Sequence, residues 1–364
     1  MYCGLLGGWL PLSSLEAPVK YTSKDTWAIN SSTVISTSTQ PLAGLARKID
    51  AYLLALLLVV YALAAFQPGL GMMIRSQEVF HCPLTVLMLS GMLFLAGLGI
   101  EAKEVRQAMR SWRHVLGGCV LLVAAPWGIV AILNTWPALF PAGILAGLGL
   151  VALMPSAASS VAWTQLSRGN VAINVALILL STIFAPAMLG GIAQQSHFIL
   201  GEAGTSILEI GMWIVPAVLV GALVRHLVGA ARIQFIRPML KVGSASILLL
   251  LNYANASAAL PRIVGDFQPM ILLVLVLTVW GMCGTVFLAS WYLTRWLGVG
   301  EAEARSLVFG IGMKNTGMAL VLAGLWLEQY PLALVAIIIY TFSQHLFAAG
   351  YHQWTVRFDS VAKT

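Results

Sequence analysis

Ten apolar segments, each long enough for a helix to cross a lipid bilayer, restrict this sequence to a membrane fold. A helix of about 20 residues covers a hydrocarbon core of about 30 Å. Only 9% of the 364 residues are charged and 59% are hydrophobic, whereas soluble domains have about 25% charged residues. The segments lie roughly at residues 48–67, 83–101, 112–134, 142–166, 170–193, 204–226, 243–261, 269–294, 303–327 and 331–354. We predict an all-α polytopic membrane protein with ten transmembrane helices.

The positions of the basic residues support this count and give an orientation. With the N-terminus inside, seventeen of the 20 Lys and Arg residues lie in the cytoplasm, Arg75 and Arg262 lie outside, and Lys314 lies within the membrane. This bias follows the positive-inside rule. We therefore expect an integral protein of the plasma (inner) membrane with both termini cytoplasmic. Because the basic residues sit in short loops, the net charge of +7 reflects topology, and no nucleic-acid partner is predicted.

Ten spans divide into two halves of five, and a five-span unit ends on the side opposite its start. The second half must then be an inverted repeat of the first. We place the first repeat at 46–194 and the second at 203–355. Residues 1–45 lack apolar periodicity and are predicted to be a disordered tail, and residues 356–364 a cytoplasmic tail. The 4 cysteines form no C-x-x-C pair, so neither a disulfide framework nor a metal site is indicated.

Spans 4 and 9 are interrupted at corresponding places of the two repeats. Span 4 contains the sequence PSAASS at residues 155–160, and span 9 contains GIGMKNTG at residues 310–317. Paired interruptions of this kind point to a transporter's binding site, because unwound backbone leaves N–H and C=O groups free for a ligand. We predict that the two discontinuous helices cross at the membrane midplane. In the alternative, Pro155 only kinks span 4 and the small residues allow close helix packing.

Lys314 lies within the interruption of span 9, too deep to reach either membrane surface. Along a helix it is roughly 16 Å from Glu303 and roughly 21 Å from Glu328, the nearest acidic residues. Half of the hydrocarbon core is only ~15 Å. A charge at this depth costs a few kcal/mol and normally marks a functional position.

Two stretches make the chain resemble the bile acid:sodium symporter family. Residues 155–182 are similar to the family's helix 4–5 hairpin with its L-x-R-G-N turn, and residues 310–323 (GIGMKNTGMALVLA) are similar to its helix 9 motif. The resemblance covers residues 46–355. It implies a core domain of spans 3–5 and 8–10 and a panel domain of spans 1–2 and 6–7. It also implies a substrate site between the domains and two sodium ions behind the helix crossing.

Most of the sodium ligands implied by the resemblance are replaced in this chain. Gly310 and Lys314 stand where the family has glutamate and glutamine, and Asn174 and Ile178 stand where it has serine and threonine. Of the family's span 4 pair only Ser160 keeps its oxygen. We therefore predict weakened or absent sodium coupling. Sodium is a doubtful cofactor and no other cofactor is predicted.

Lys314 is predicted to replace a bound cation. Its ammonium would bind main-chain carbonyls, Ser160 or Asn174, with Gly310 beside it. Transport would then be sodium-independent, either facilitated or coupled to protons. Two alternatives stay open: the lysine attracts an anionic substrate in a water-filled cavity, or it is merely tolerated.

Five polar residues are the candidate substrate contacts: Asn315, Thr316, Ser156, Ser159 and His345. The N-termini of interrupted half-helices attract anions, although each of these residues could equally serve helix packing. The predicted function is secondary transport of a small organic anion across the lipid bilayer. A non-transporting membrane sensor and a sodium symporter with a rearranged ion site are the alternatives. An enzyme is disfavoured because the spans contain no paired aspartates or metal-binding histidines. The substrate's identity and the oligomeric state are left open.

Overall fold

The computed structural model describes residues 44–46, 48–49, 52–53, 55–136, 138–195, 204–265 and 268–361. Almost all of these residues are helical, apart from a short hairpin formed by strands β1 (Glu78–Val79) and β2 (Cys82–Pro83). Most of the predicted tail at 1–45, and the last three residues of the C-terminal tail, lie outside the described residues.

Each of the ten predicted spans overlaps, in its described residues, with one helix or with two consecutive helices. The helices are α1 (Ala55–Phe66), α2 (Gly69–Ser76), α3 (Leu84–Leu98), α4 (Ala102–Arg110), α5 (Trp112–Leu133), α6 (Ala142–Leu153), α7 (Ser160–Leu166), α8 (Val171–Gln195), α9 (Gly204–Val228), α10 (Ala230–Gly265), α11 (Pro269–Trp296), α12 (Glu301–Gly312), α13 (Thr316–Trp326) and α14 (Pro331–Val361). Spans 4 and 9 correspond to the pairs α6–α7 and α12–α13, so both predicted interruptions are real breaks between helices.

Five of the described helices, α5, α8, α10, α11 and α14, are long and apolar enough to cross a membrane. α1 and α2 together form a sixth candidate that is bent by 92°. Shorter apolar helices include α3, α6 and α13, the last two because the breaks divide spans 4 and 9. The chain is therefore an all-α polytopic membrane protein, as predicted. The count of ten spans and the inverted repeat remain predictions.

Two helices, α10 and α14, continue furthest beyond the spans predicted from hydropathy. α10 begins at Ala230, ahead of the predicted start at 243, and α14 ends at Val361, beyond the predicted end at 354. The added turns of α10 carry basic residues for which the sequence predicts a loop, and Arg232 is among those with exposed side chains. A helix can continue past its apolar part when the polar side chains face water.

Glycines let α3 and α9 approach each other closely. A Cβ added at Gly97 would lie 2.3 Å from the carbonyl oxygen of Val218, and one at Gly221 would lie 2.2 Å from that of Phe94. Small residues at such contacts allow helix backbones to associate within a membrane. α10 in turn contacts α2 and α3, while α5, α6, α8, α11, α12 and α14 form a second set of mutual contacts. This second set surrounds the breaks.

We predict that Gly97→Ala destabilises the protein by about 1–3 kcal/mol, because the added methyl group overpacks the α3–α9 contact. Gly117→Ala on α5 is the matched control, since a Cβ there has no atom within 4 Å and alanine favours the helix by about 1 kcal/mol. Thermal unfolding in detergent, followed by tryptophan fluorescence, should give a lower melting temperature for Gly97→Ala only. Equal melting temperatures would mean that the close approach of α3 and α9 is not tight in solution.

Candidate functional site

The two helix breaks lie directly against each other. We call residues 154–159 and 313–315 the crossover. Ser156 and Lys314 form an isolated antiparallel β-bridge at its centre. The bridge consists of two main-chain hydrogen bonds, from Ala157 N–H to Met313 O (2.9 Å) and from Asn315 N–H to Pro155 O (2.8 Å). Backbone groups that the helix ends leave unpaired thus satisfy one another, as a site within a membrane requires.

The Lys314 side chain is completely buried, and its ammonium donates to three main-chain carbonyls. The acceptors belong to Leu122, to Ala152 at 3.2 Å and to Met154 at 3.3 Å. In the described part of the chain, no carboxylate forms an ion pair with this ammonium. We call the three acceptors the carbonyl cage. The positive charge is therefore stabilised by carbonyl dipoles rather than by an opposite charge.

Local sequence explains why these carbonyls are available. Leu122 lies four residues before Pro126, which has no N–H to complete the helical hydrogen bond. Ala152 lies four residues before Ser156, whose N–H donates instead to a serine hydroxyl of α8 at 3.1 Å. Met154 immediately follows α6, so its carbonyl lies at the negative end of that helix dipole. The cage therefore consists of carbonyls that have lost, or never had, a helical partner.

Ser160 and Asn174, two residues of the predicted ion site, bind each other rather than Lys314. Ser160 Oγ lies 2.8 Å from Asn174 Oδ1 and 2.6 Å from the carbonyl oxygen of Ala157. The Asn174 amide donates to Thr164 Oγ1 at 2.9 Å and to the carbonyl of Ser306 at 3.2 Å. The ammonium of Lys314 therefore contacts main-chain carbonyls, whereas the side chains of Ser160 and Asn174 contact other groups.

Gly310, the fourth residue of the predicted ion site, borders this polar network without contributing a side chain. A Cβ added there would lie 3.3 Å from Asn174 Nδ2 and 3.0 Å from Leu177 Cδ1. A longer side chain at this position requires a small movement of Leu177. The position therefore faces the polar side of α8 but supplies no ligand to a cation.

The crossover contains three of the predicted substrate contacts, and a fourth, Thr316, directly follows it. Ser156 is buried, and its Oγ is 3.5 Å from Ser160 Oγ. Asn315 is partly exposed and caps α13 by accepting the Met318 N–H at 3.1 Å. Thr316 is the buried first residue of α13. Ser159 precedes α7 and is partly exposed.

His345, the fifth predicted contact, lies one residue away from a residue that does reach the crossover. His345 Nδ1 is 2.8 Å from the carbonyl oxygen of Thr341 in its own helix, α14. Its neighbour Gln344 accepts the main-chain N–H of Lys314 at 2.8 Å. Gln344 is thus a site residue that the predicted set omitted, and the signal was the short polar stretch within an apolar span that it shares with His345.

Span 3 supplies another residue that the predicted set omitted. The side chain of Leu122 carries no functional group, so its residue type does not indicate a role in the site. Pro126 was the available signal, because a proline inside a spanning helix frees the carbonyl four residues earlier.

The sequence of this chain is similar to those of a family of transporters. A model of the SBF-like CPA transporter family matches residues 51–351. The chain is 25% identical over 224 residues to "Uncharacterized protein YbaS" of Bacillus subtilis, covering 59% of this chain and 70% of that protein. It is 26% identical over 239 residues to "Probable sodium/metabolite cotransporter BASS1, chloroplastic" of Arabidopsis thaliana, covering 62% and 55%. The match to the protein of the same name in rice covers 44% of it, so the chain spans about half the length of these plant relatives.

We predict that Lys314 and Pro126 are energetically coupled through the carbonyl of Leu122. Lys314→Met leaves this carbonyl without a donor, and an unpaired buried carbonyl costs about 1–3 kcal/mol. Pro126→Ala introduces an N–H that can take over, so the double variant should lose about 1 kcal/mol less than the sum of the single variants. The free energy of unfolding of the parent protein, both single variants and the double variant is measured in mixed micelles at increasing dodecyl sulfate concentration.

The coupling between the two substitutions is decisive, because Lys314→Met also removes the desolvation cost of a buried charge. Gly117→Ala, on the same helix as Pro126, replaces Pro126→Ala in the control cycle and should show no coupling. Additive effects for Lys314 and Pro126 would contradict the assignment of Leu122 to the cage.

Proposed function

Because the chain belongs to the SBF-like CPA transporter family, we propose that it is a secondary transporter of a small organic anion that works without bound sodium. The resemblance to bile acid:sodium symporters is confirmed by this membership. Membership of a transporter family also favours a carrier over an enzyme. The apolar helices make a lipid bilayer its environment.

The proposed architecture has ten spans in two inverted repeats, with both termini in the cytoplasm of a plasma-membrane protein. Two observations support this architecture. The ten apolar segments agree with the positions of the helices, and seventeen basic residues fall on one side of the membrane in this arrangement. The proposed core contains α5–α8 and α11–α14, and the proposed panel contains α1–α3, α9 and α10. The contact between the two breaks supports the crossing of spans 4 and 9.

One observation carries the proposal of sodium independence: the Lys314 ammonium is held by the carbonyl cage. A sodium ion in this region would require several hard oxygen ligands, and three main-chain oxygens are already engaged. The network beside the cage offers amide and hydroxyl groups, and Gly310 has no carboxylate to add. A protonated lysine side chain is a covalently attached cation, so it neutralises these dipoles without any ion that must bind and leave.

The net charge of the site gives a second argument. The resemblance implies that bile acid:sodium symporters have one glutamate and two sodium ions at this place, which together carry one positive charge. Here Gly310 and Lys314 also carry one positive charge. The crossover therefore has the charge that a sodium-loaded relative would have, without any ion. We infer that its affinity for an anion depends on a protonated Lys314 rather than on sodium.

The substrate is proposed to be an anion bound at the starts of α7 and α13. Asn315, Thr316, Ser156 and Ser159 surround these helix ends, and a helix N-terminus with a nearby positive charge favours carboxylate or sulfonate. The plant relatives are named as metabolite cotransporters, which supports a small-molecule substrate. Their names also include sodium, so the ion requirement is the point to be tested.

We predict that transport continues when sodium is replaced by choline. Carboxylates, keto acids, sulfonates and sterol conjugates are first screened for thermal stabilisation of the purified protein, and a stabilising compound is then used in proteoliposome uptake. Uptake rates in the two buffers should agree within about twofold, because an ion without differential affinity shifts no conformational equilibrium.

A strict sodium requirement would overturn sodium independence and favour a symporter with a rearranged ion site. Binding without counterflow of a preloaded compound would favour a sensor over a carrier. The same assays at several values of pH, with and without a proton gradient, distinguish proton coupling from facilitated transport.

Sodium dependence should be partly restored by combining Gly310→Glu with Lys314→Gln. The first substitution returns a carboxylate and the second removes the attached cation, so sodium should stimulate uptake severalfold. Restoration is only partial because Val161 and Ile178 still supply no side-chain oxygen. Lys314→Gln alone is the control and should show no sodium response. If the double variant also shows none while Lys314→Ala transports normally, Lys314 is not a cation surrogate.

A further inference from the structure

Arg75 is one of two arginines that the orientation places on the outer side, against the general bias of the basic residues. It lies in the last turn of α2. Its side chain is only 16% exposed, so it is not simply directed into water. A basic residue on the translocated side has no role in setting topology. Its contacts therefore indicate another role.

Arg75 binds the C-terminal end of α13. Its Nη2 donates to the carbonyl oxygen of Gly324 at 2.6 Å and lies 3.4 Å from Glu328 Oε1 just beyond the helix. A guanidinium at this position interacts favourably with the negative end of the helix dipole. The other end of α13 begins at the crossover beside Lys314. Arg75 therefore holds the far end of the half-helix that carries the candidate site.

α2 is itself fixed to α10. A Cβ added at Gly71 would lie 2.1 Å from Ser257 Oγ, so the two helices are in very close contact. The Tyr253 hydroxyl donates to the carbonyl of Gln67, at the bend between α1 and α2. α2 cannot readily follow α13 if α13 moves away from α10.

A second contact meets α13 at the same residue as Arg75. A Cβ added at Gly324 would lie 2.8 Å from Asn255 Oδ1 of α10. Thus α2 contacts the Gly324 carbonyl while α10 packs against its α-carbon. This junction joins α1, α2 and α10, which belong to the proposed panel, to α13 of the proposed core.

We infer that Arg75 is a latch that keeps the outer side of the protein closed in the state described here. The inference rests on the proposed transport function, in which panel and core separate on one side at a time. Opening the outer side would separate α13 from α2, and Arg75 would lose both its hydrogen bond and its ion pair. Removing the latch should therefore shift the population toward an outward-open state.

Accessibility of a cysteine beside the crossover tests this inference without any substrate. The reporter is Met92→Cys on α3, because the Met92 Cε lies 3.5 Å from a Cβ built at Gly317 in the first turn of α13. It is introduced into the full chain with the four native cysteines replaced by alanine. Labelling by a membrane-impermeant maleimide is timed in intact cells and in inside-out vesicles. Val79→Cys, at an exposed position of the hairpin after α2, identifies the face that carries Arg75.

Arg75→Gln should speed labelling of the reporter about tenfold from that face, because a hydrogen bond to a charged group is lost. Arg75→Lys should give a smaller increase, since the charge is retained. Arg262→Gln removes the other arginine predicted on this face and should leave the rate unchanged. Unchanged labelling in Arg75→Gln, or an equal increase from both faces, would overturn the latch.

Glu328→Gln provides a second variant if Arg75→Gln does not fold. Glu328 is 63% exposed, so its pairing is screened by water and the increase should be only about twofold to threefold. An unchanged rate in a folded Glu328→Gln protein would then count against the latch. Faster labelling without any transport would retain the latch and refute the proposed function. Transport with unaltered labelling would refute the latch alone.

Discussion

The arrangement of this molecule around its two helix breaks depends on backbone carbonyls that have no hydrogen-bond partner within a helix. Within a membrane there is no bulk water to satisfy them, so a broken helix is stable only if other protein groups take over. At the crossover two of these carbonyls, those of Pro155 and Met313, accept N–H groups across the breaks. Three carbonyls, those of Leu122, Ala152 and Met154, are satisfied by the Lys314 ammonium. The lysine and the breaks therefore explain each other: the charge needs carbonyls, and the carbonyls need a donor.

The same pairing connects stability to the proposed transport cycle. A sodium ion can bind and leave, so a site built around it has two charge states. A lysine in the break before α13 cannot leave, and the crossover keeps one charge state as long as the amine stays protonated. The energy that ion binding would supply in a symporter is then absent, and the anion gradient, or a proton, must drive any net movement. This consequence follows from one side chain at one position and does not depend on the substrate's identity.

Much of the site could be predicted from sequence because the relevant signals are local. The lengths of the apolar segments predict the helices, and the PSAASS and GIGMKNTG stretches predict the breaks. The distance of Lys314 from acidic residues predicts its depth in the membrane. The partners of each polar group were harder to predict. Ser160 and Asn174 satisfy each other, so neither is available to the ammonium as a primary ligand. Gln344 rather than His345 reaches the crossover, because adjacent residues on a helix point in directions about 100° apart.

By itself, the sequence determined that this protein lies in a membrane, where its two helix breaks fall, and that a lysine occupies one of them. These properties depend on hydrophobicity and on residues adjacent in the chain. Only the tertiary structure decided which atoms meet the lysine and which group holds the far end of α13. The Leu122 carbonyl is 192 residues from Lys314 in sequence, and Arg75 is 249 residues from Gly324. Contacts at such separations depend on how whole helices pack, because a main-chain carbonyl carries no signature of its partner in the amino-acid sequence.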